Sequence, residues 1–439
     1  MVNHVVASEF MARRDTLVQK LKPNSIALVS TNAVSYRNSD VEYPYRADSY
    51  FHYLTGFNEP EAIVLIETFE ANQPDHYTLF CRERNHDEEI WNGYRTGLQG
   101  AVQQYLADQA EPIDSFDALC SERLLDKSHV YICLGHDDIF EQRILDILEE
   151  MDSETAITPL PLNPILDEMR LFKSTFEIER IKKATDITAK AHTNAMQAAY
   201  GGVMEYELAA ELHYQFNKHG CEPAYGTIVA GGENACVLHY VENNQPIENG
   251  QLVLIDAGCE YQYYASDVTR TFPVSGIFSA EQRALYQLVL DAEIAAIDAV
   301  KVGSSFIEPH NVAVKILTQG LLDLGLLQGE LTELLETQAY NKFYMHGTSH
   351  WLGLDVHDVG QYKINEEYRN FESGMVLTIE PGLYIAKDEQ SVAEKWRGIG
   401  IRIEDNVLVT DQGPEVLTAS IVKEVEQIEA LMQGKNKNT

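Results

Sequence analysis

Leu252-Val253-Leu254-Ile255-Asp256-Ala257-Gly258 sets an unbroken aliphatic run directly against a carboxylate. A run of this kind reads as a strand buried on both faces, so Asp256 is delivered into an interior. Eleven residues on, Ser266-Asp267-Val268-Thr269-Arg270 carries a second acid, Asp267, on what reads as the next strand. Buried acids are costly unless they are paired, hydrogen-bonded or bound to a cation. The stretch therefore predicts that partners for both acids come from elsewhere in the chain.

The surrounding pattern occurs twice. Ser174 and Glu177 form a capping box that opens a helix bearing Ile178, Ile181, Ala184, Ala191 and Ala195, stopped by Gly201-Gly202. A helix with Leu208, Leu212 and Phe216 follows, then strands near Thr227–Ala230, Leu252–Asp256 and Tyr263–Phe272. Ser279 and Gln282 restart the sequence of events. Two helices follow, through Leu285–Ala299 and Val312–Leu324, then strands near Phe343–Met345, Val376–Glu380 and Ile399–Val409. Val376-Leu377-Thr378-Ile379-Glu380-Pro381-Gly382 aligns with the opening stretch, acid on acid. A duplicated half-domain is the economical reading.

Ahead of this repeat, a helix over residues 8–21 and short apolar strands at Ile26–Val29, Ala62–Ile66, Tyr77–Cys81 and Val130–Leu134 predict a smaller mixed α/β domain. A helix carrying Ile139, Ile144, Leu145 and Leu148 follows the last strand, and the aromatic-rich stretch from Tyr43 to Pro60 reads as a long loop. Pro159-Leu160-Pro161-Leu162-Asn163-Pro164 reads as a linker, which places domains at residues 1–170 and 171–439. Gly434 to Thr439 read as a disordered tail.

The 439-residue chain carries a formal charge of −35, with 45% hydrophobic and 23% charged residues. Such acidity excludes nucleic acid and anionic membranes as partners and suits a cationic group such as a free amino terminus. The same charge also serves solubility alone. Six scattered cysteines without a C-x-x-C pair fit reduced thiols. With no signal peptide and no membrane-spanning apolar run in view, a cytoplasmic protein is expected.

Each half contributes two acids, Asp256 and Asp267 from the first, Glu380 and Glu404 from the second. On strands, residues two apart share a face, which groups Asp267 with Thr269 and Thr271, and Arg402 with Glu404. Between the acids lies Met345-His346-Gly347-Thr348-Ser349-His350-Trp351, then His357-Asp358. Four carboxylates and one imidazole in one pocket leave roughly four negative charges uncompensated, which two divalent cations would neutralise. Oxygen-rich ligation with one histidine favours Mn²⁺ or a similar ion. Two such ions roughly 3.5–4 Å apart support hydrolysis.

Competing readings of single residues remain open on the residues alone. A lone acid at a strand end also serves as a turn residue, and His239, His346 and His357 also suit a packed core. Gly347 breaks the helix that an H-E-x-x-H zinc pair at His346 and His350 would need. Gly398-Ile399-Gly400 opens no helix, and no G-x-S-x-G elbow is present.

Taken with their flanks, these residues carry a resemblance. Asp256, Asp267, His350, Glu380 and Glu404, in that order, resemble the ligand set of the pita-bread metallopeptidases, and the surrounding words resemble its aminopeptidase P branch. Those words include Gly231-Gly232-Glu233-Asn234, Asp267-Val268-Thr269-Arg270-Thr271-Phe272, Glu380-Pro381-Gly382-Leu383-Tyr384 and, far upstream, Tyr53-Leu54-Thr55-Gly56-Phe57-Asn58-Glu59-Pro60. The resemblance implies an α+β chain with a duplicated pita-bread catalytic domain behind a smaller creatinase-type α/β domain. It implies manganese-dependent cleavage after an N-terminal residue that precedes proline, with a water between two Mn²⁺ ions as nucleophile. Asp256 would hold one ion, His350 with Glu380 the other, and Asp267 and Glu404 would bridge them. Glu380 would also shuttle a proton. His239, His346 and His357 would position the carbonyl and steady the tetrahedral intermediate. Arg402 would support Glu404 or the proline end of the substrate, and Trp91 and Tyr384 would meet the substrate, Trp91 in its own or a neighbouring subunit of a dimer or tetramer.

Two alternatives accompany that expectation. A prolidase, restricted to Xaa-Pro dipeptides, shares all five ligands; Ser349 ahead of His350 and the Gly56–Ala62 segment favour the aminopeptidase. A metal-free pita-bread module that only binds peptides or proteins is disfavoured because every ligand position is filled.

Overall fold

A computed structural model describes residues 4–70, 75–151 and 157–434, which form two compact units, Met1–Met169 and Arg170–Thr439. The expected disorder of Gly434–Thr439 falls, beyond Gly434, outside the described residues.

The first unit is built on a six-stranded mixed sheet. Its strand order is Gln109–Pro112, His76–Cys81, Ile63–Glu67, Ser25–Ser30, His129–Ile132 and Leu160–Pro161. The two central strands are buried along almost their whole length, as their aliphatic runs predict. Three details differ from the sequence reading. The proline cluster is no linker: Leu160–Pro161 is the edge strand, where a missing N–H is tolerated, and Asn163–Leu171 is a helix with Pro164 in its first turn. Within the expected aromatic loop, Ser49–Thr55 is a fully buried helix capped by the Asp48 carboxylate, which accepts from the Phe51 N–H. Ile139 faces out, and Phe140 takes its place in the core with Ile144 and Ile147.

The second unit shows the predicted duplication. Both capping boxes form, Ser174 with Glu177 and Ser279 with Gln282. They open Thr175–Ala198, paired with Glu205–Lys218, and Ala280–Asp298, paired with Glu308–Asp323. In the first half, Leu252–Asp256 lies between antiparallel strands Ile228–Gly231 and Thr269–Pro273. In the second, Asp405–Thr410 lies between Val376–Ile379 and Gly413–Val416. One continuous core runs through the helices and both sets of strands, from Ile187 and Leu212 to Leu285, Leu377 and Val407.

Three expected strands differ, and each difference bears on the acids. Tyr263–Phe272 is not continuous: Tyr264–Ala265 and Thr269–Pro273 are separated by Ser266-Asp267-Val268. Ile399–Val409 breaks likewise, into Ile399–Arg402 and Asp405–Thr410, at Ile403-Glu404. Asp267 and Glu404 therefore sit in gaps between strands. Phe343–Met345 forms no strand and follows a short 3₁₀ turn at Ala339–Lys342. In its place, His350 and its neighbours run beside Val376–Ile379, with Thr378 N–H donating to His350 O at 2.9 Å and Glu380 N–H to Thr348 O at 2.8 Å.

Gly258 makes the first gap possible. A Cβ there would lie 1.7 Å from the Ser266 carbonyl oxygen, so no side chain fits where the chain doubles back. Behind it, His192 is completely buried and its Nε2–H donates to Ala257 O at 2.9 Å. Burial lowers the pKa of His192 to about 4. The folded state thus refuses a proton that the unfolded chain accepts near pH 6.5, and the associated stability is present above pH 6.5 and lost as pH falls towards 4. That change amounts to about 3 kcal/mol. Urea unfolding of the wild type and of His192→Gln at pH 7 and pH 4 checks it: the variant should lose less stability between the two by about that amount.

Candidate metal centre and active site

The two halves place their acids in equivalent positions. Asp256 ends its strand opposite Thr269, two residues after Asp267; Glu380 follows Ile379, which is opposite Asp405, one residue after Glu404. Together with His239, His346, His350, His357 and Arg402, the four acids line a cavity of about 580 Å³ in the second unit. Trp91 lies in the first unit, in the helix His86–Asn92, and is 85% exposed.

His350 is held by Nδ1–H donating to Trp351 O at 3.0 Å, which turns Nε2 inward. That nitrogen lies 3.3 Å from Asp267 Oδ2 and 3.5 Å from Glu380 Oε1. Candidate ligand atoms of Asp267, His350 and Glu404 all fall within 4.8 Å of one another. Asp267 is fixed through its backbone, its N–H donating to Asn406 Oδ1 at 3.1 Å while Asn406 Nδ2 donates back to its carbonyl. Thr269 Oγ1 donates to Glu404 Oε2 at 2.7 Å.

Arg402 organises the wall between the halves. Its guanidinium reaches Asp256 Oδ2 at 2.7 Å, Thr269 Oγ1 at 3.0 Å and the Tyr384 hydroxyl at 3.0 Å. Tyr384 in turn donates to His346 Nε2 at 2.8 Å, and His346 Nδ1–H donates to Gly347 O at 2.7 Å. With both nitrogens engaged, His346 is neutral; burial and the nearby Arg402 lower its pKa to about 3. Arg402 thus touches Asp256 and Tyr384 directly and reaches Glu404 through Thr269.

The electrostatics expose the missing charge. Burial pushes Glu380 up to about 7, and burial with the neighbouring acids raises Glu404 and Asp256 above the usual carboxylate range. Asp267 alone is lowered: burial opposes ionisation, but the hydrogen bond from His350 overcomes it. His350 is correspondingly raised to about 9, against burial, by Asp267 and Glu380. Carboxyls crowded together away from water ionise together only with positive charge beside them. Buried oxygens, one inward imidazole nitrogen and excess negative charge fit a hard or borderline divalent ion.

Sequence reasoning missed Tyr225. Its hydroxyl donates to Asp256 Oδ1 at 2.6 Å and it lines the cavity. Nothing in the local sequence around it marks a contact with Asp256; the contact arises because Pro223 pairs with Cys259 and Ala224 N–H donates to Gly258 O at 2.9 Å, which brings the next residue beside Asp256.

Residues 179–411 match metallopeptidase family M24, and residues 10–131 match the aminopeptidase P N-terminal domain. The chain belongs to family M24. The expected architecture, a pita-bread domain behind an aminopeptidase P N-terminal domain, is borne out by these matches. Similar M24 proteins include the Xaa-Pro aminopeptidase of Escherichia coli, 44% identical over 99% of this chain and 100% of that one. Human Xaa-Pro aminopeptidase 3 is 33% identical over 92% of this chain and 80% of its own. Among solved structures, aminopeptidase PepP of Pseudomonas aeruginosa superposes with a TM-score of 0.96 at 46% identity, covering 98% and 99% of the two chains. An E. coli aminopeptidase P in complex with substrate superposes at 0.95 and 44% identity, with the same coverage. The M24 assignment implies a divalent metal, in keeping with the cluster of Asp267, His350 and Glu404. Among the described residues, no helix is long and apolar enough to cross a membrane.

Proposed function

We propose that this chain is an Xaa-Pro aminopeptidase, releasing the N-terminal residue of peptides with proline in second position. The observation that carries the proposal is the meeting of two buried and two partly buried carboxylates, an inward imidazole and three further histidines in one cavity of an M24 chain. Asp256, Asp267, His350, Glu380 and Glu404 are the residues that would hold two Mn²⁺ ions. Bound there, such a pair supplies Lewis acidity, making water a nucleophile near neutral pH and polarising the attacked carbonyl.

The chain's own groups do the rest. Glu380, whose carboxylate faces His350 Nε2 at 3.5 Å on the cavity wall, takes a proton from the attacking water and delivers it to the departing proline nitrogen. Water oxygen bonds to the carbonyl carbon, the C–N bond breaks, and the proline nitrogen leaves as a secondary amine. That nitrogen carries no N–H in the substrate, so the site must recognise the bond without a donor at that position. His239 and His357 line the cavity and steady the developing negative charge on the carbonyl oxygen, while His346, whose one N–H goes to Gly347 O, anchors the Tyr384 hydroxyl. Arg402 fixes Asp256 and Tyr384, and through Tyr384 the neutral His346. Tyr384 and Trp91 contribute to the substrate's surroundings, Trp91 as an exposed ring that a neighbouring subunit of a homo-oligomer could use. Six free cysteines support a cytoplasmic location.

His357 tests the division of roles. Burial and the adjacent His350, 4.4 Å away between ring centroids, keep its imidazole below the usual pKa. His357→Ala should keep both metal ions yet lower kcat about a hundredfold with KM little changed, as for a group acting in the transition state. Loss of metal on elemental analysis would instead make His357 a ligand. The reaction itself is tested by assaying Xaa-Pro and Xaa-Pro-Yaa peptides with and without added Mn²⁺. Turnover of the dipeptide alone would identify a prolidase, and no turnover of either would leave a binding module.

A further inference from the structure

A second cavity, of about 750 Å³, adjoins the first and shares His346, Gly347, Ser349 and Tyr362 with it. Its chemistry is the reverse of the catalytic cleft. Among the described residues, no Asp, Glu or Arg lines it, and Lys363 is the one lining residue with a permanent charge. In a chain with 68 acidic and 33 basic residues, a large cavity without a carboxylate is a local inversion of sign.

Its outer wall is aromatic. Phe306 packs against Tyr362 at 4.7 Å and stacks on Tyr368 at 6.5 Å between centroids. Tyr368 is held by a hairpin, Lys363–Ile364 against Glu367–Tyr368, whose register sets Lys363 directly opposite Tyr368. Directly opposed residues share a face, and the Lys363 ammonium lies 4.6 Å from the Tyr368 ring. Where the cavities meet, Ser349 Oγ is buried without a hydrogen-bond partner. A buried hydroxyl of this kind costs free energy unless a ligand completes it, and a peptide main chain crossing from one cavity to the other would do so.

We propose that this second cavity receives the residues after proline, with an apolar or aromatic side chain against Phe306 and Tyr368 and the C-terminal carboxylate of a short peptide at Lys363. The inference rests on the aminopeptidase reading and gives the substrate a direction. Lys363 disfavours a free amino terminus in the second cavity and favours the opposite end. Only the C-terminal side of an Xaa-Pro substrate has further length to place, and this is the adjoining space.

The test compares Ala-Pro-Phe, its C-terminal amide and Ala-Pro-NH₂ as substrates of the Mn²⁺-loaded wild type, Lys363→Met and Tyr368→Ala. Lys363→Met should lower kcat/KM on the free acid about fivefold, mainly through KM, as for a partly exposed ion pair, and leave the amide unchanged. Tyr368→Ala should weaken both tripeptides relative to Ala-Pro-NH₂, in proportion to lost apolar contact. Wild-type turnover combined with Lys363→Met acting equally on acid and amide, or Tyr368→Ala acting equally on all three, overturns the subsite and leaves the aminopeptidase reading intact. Absence of wild-type turnover on every peptide overturns both.

Discussion

Asp267→Asn is expected to abolish peptide hydrolysis, lowering kcat by at least about a thousandfold, equivalent to some 4 kcal/mol of transition-state stabilisation. The substitution is nearly isosteric and leaves its backbone clamp untouched, because both hydrogen bonds with Asn406 use the main chain of residue 267. The loss therefore reports on the carboxylate's charge and not on a collapsed loop. Burial opposes ionisation of Asp267, but the hydrogen bond from His350 holds its carboxyl below the usual range, which keeps its oxygens in the charged form that a cation binds. An amide cannot replace that charge, and His350 loses the partner at 3.3 Å that orients its Nε2 face. Turnover on an Xaa-Pro-Yaa peptide with excess Mn²⁺, together with metal content and circular dichroism, checks the prediction. Wild-type turnover in a folded variant would refute the ligand role.

The gathering of the four acids and His350 was legible in the sequence because it rests on features that short stretches encode. Buried aliphatic runs ending in acids, two capping boxes and their repetition are local, and the observed strands and helices follow them. What was not legible depends on chain crossing. Val268-Thr269-Arg270-Thr271-Phe272 has uniform strand propensity, so nothing local announces that pairing begins only at Thr269. The break follows from Gly258 pressing against the Ser266 carbonyl, a contact between different segments. Arg402 read as support for Glu404 or for the proline end of the substrate; its guanidinium meets Asp256 of the other half and is linked to Glu404 through Thr269. Tyr225 was silent for the same reason. The proline cluster misled in the other direction: proline signals a break wherever it stands, yet an edge strand and a helix's first turn accommodate it.

Arg270→Met should cost about 3 kcal/mol of stability, the lower end of the range for removing one partner of a buried ion pair, because Lys423 still faces Asp405. Arg270 comes from the first half and is fully buried, as is Asp405 of the second, and Arg270 Nη2 meets Asp405 Oδ1 at 2.6 Å. Burial opposes ionisation of Asp405, but Arg270 and Lys423 hold its carboxyl well below the usual range. The guanidinium also donates to the Glu404 carbonyl at 2.7 Å and to the Ile421 and Val422 carbonyls at 3.2 Å. Methionine fills much of the volume and satisfies none of these acceptors. Urea unfolding measures the loss, and a change below about 1 kcal/mol, the value of an exposed pair, would contradict it. The consequence for function is positional. Arg270 fastens the backbone of Glu404, an acid of the second half, beside Thr269 of the first, whose hydroxyl holds the Glu404 carboxylate. Arg270 thus adds a tie between the halves to those that Arg402 with Asp256 and Thr269 with Glu404 make at the acids themselves. Metal added to the variant should recover part of the lost stability, because a ligand that binds only the folded state stabilises it by mass action, and the recovery should vanish in Asp267→Asn/Arg270→Met if the cation bridges the same two halves.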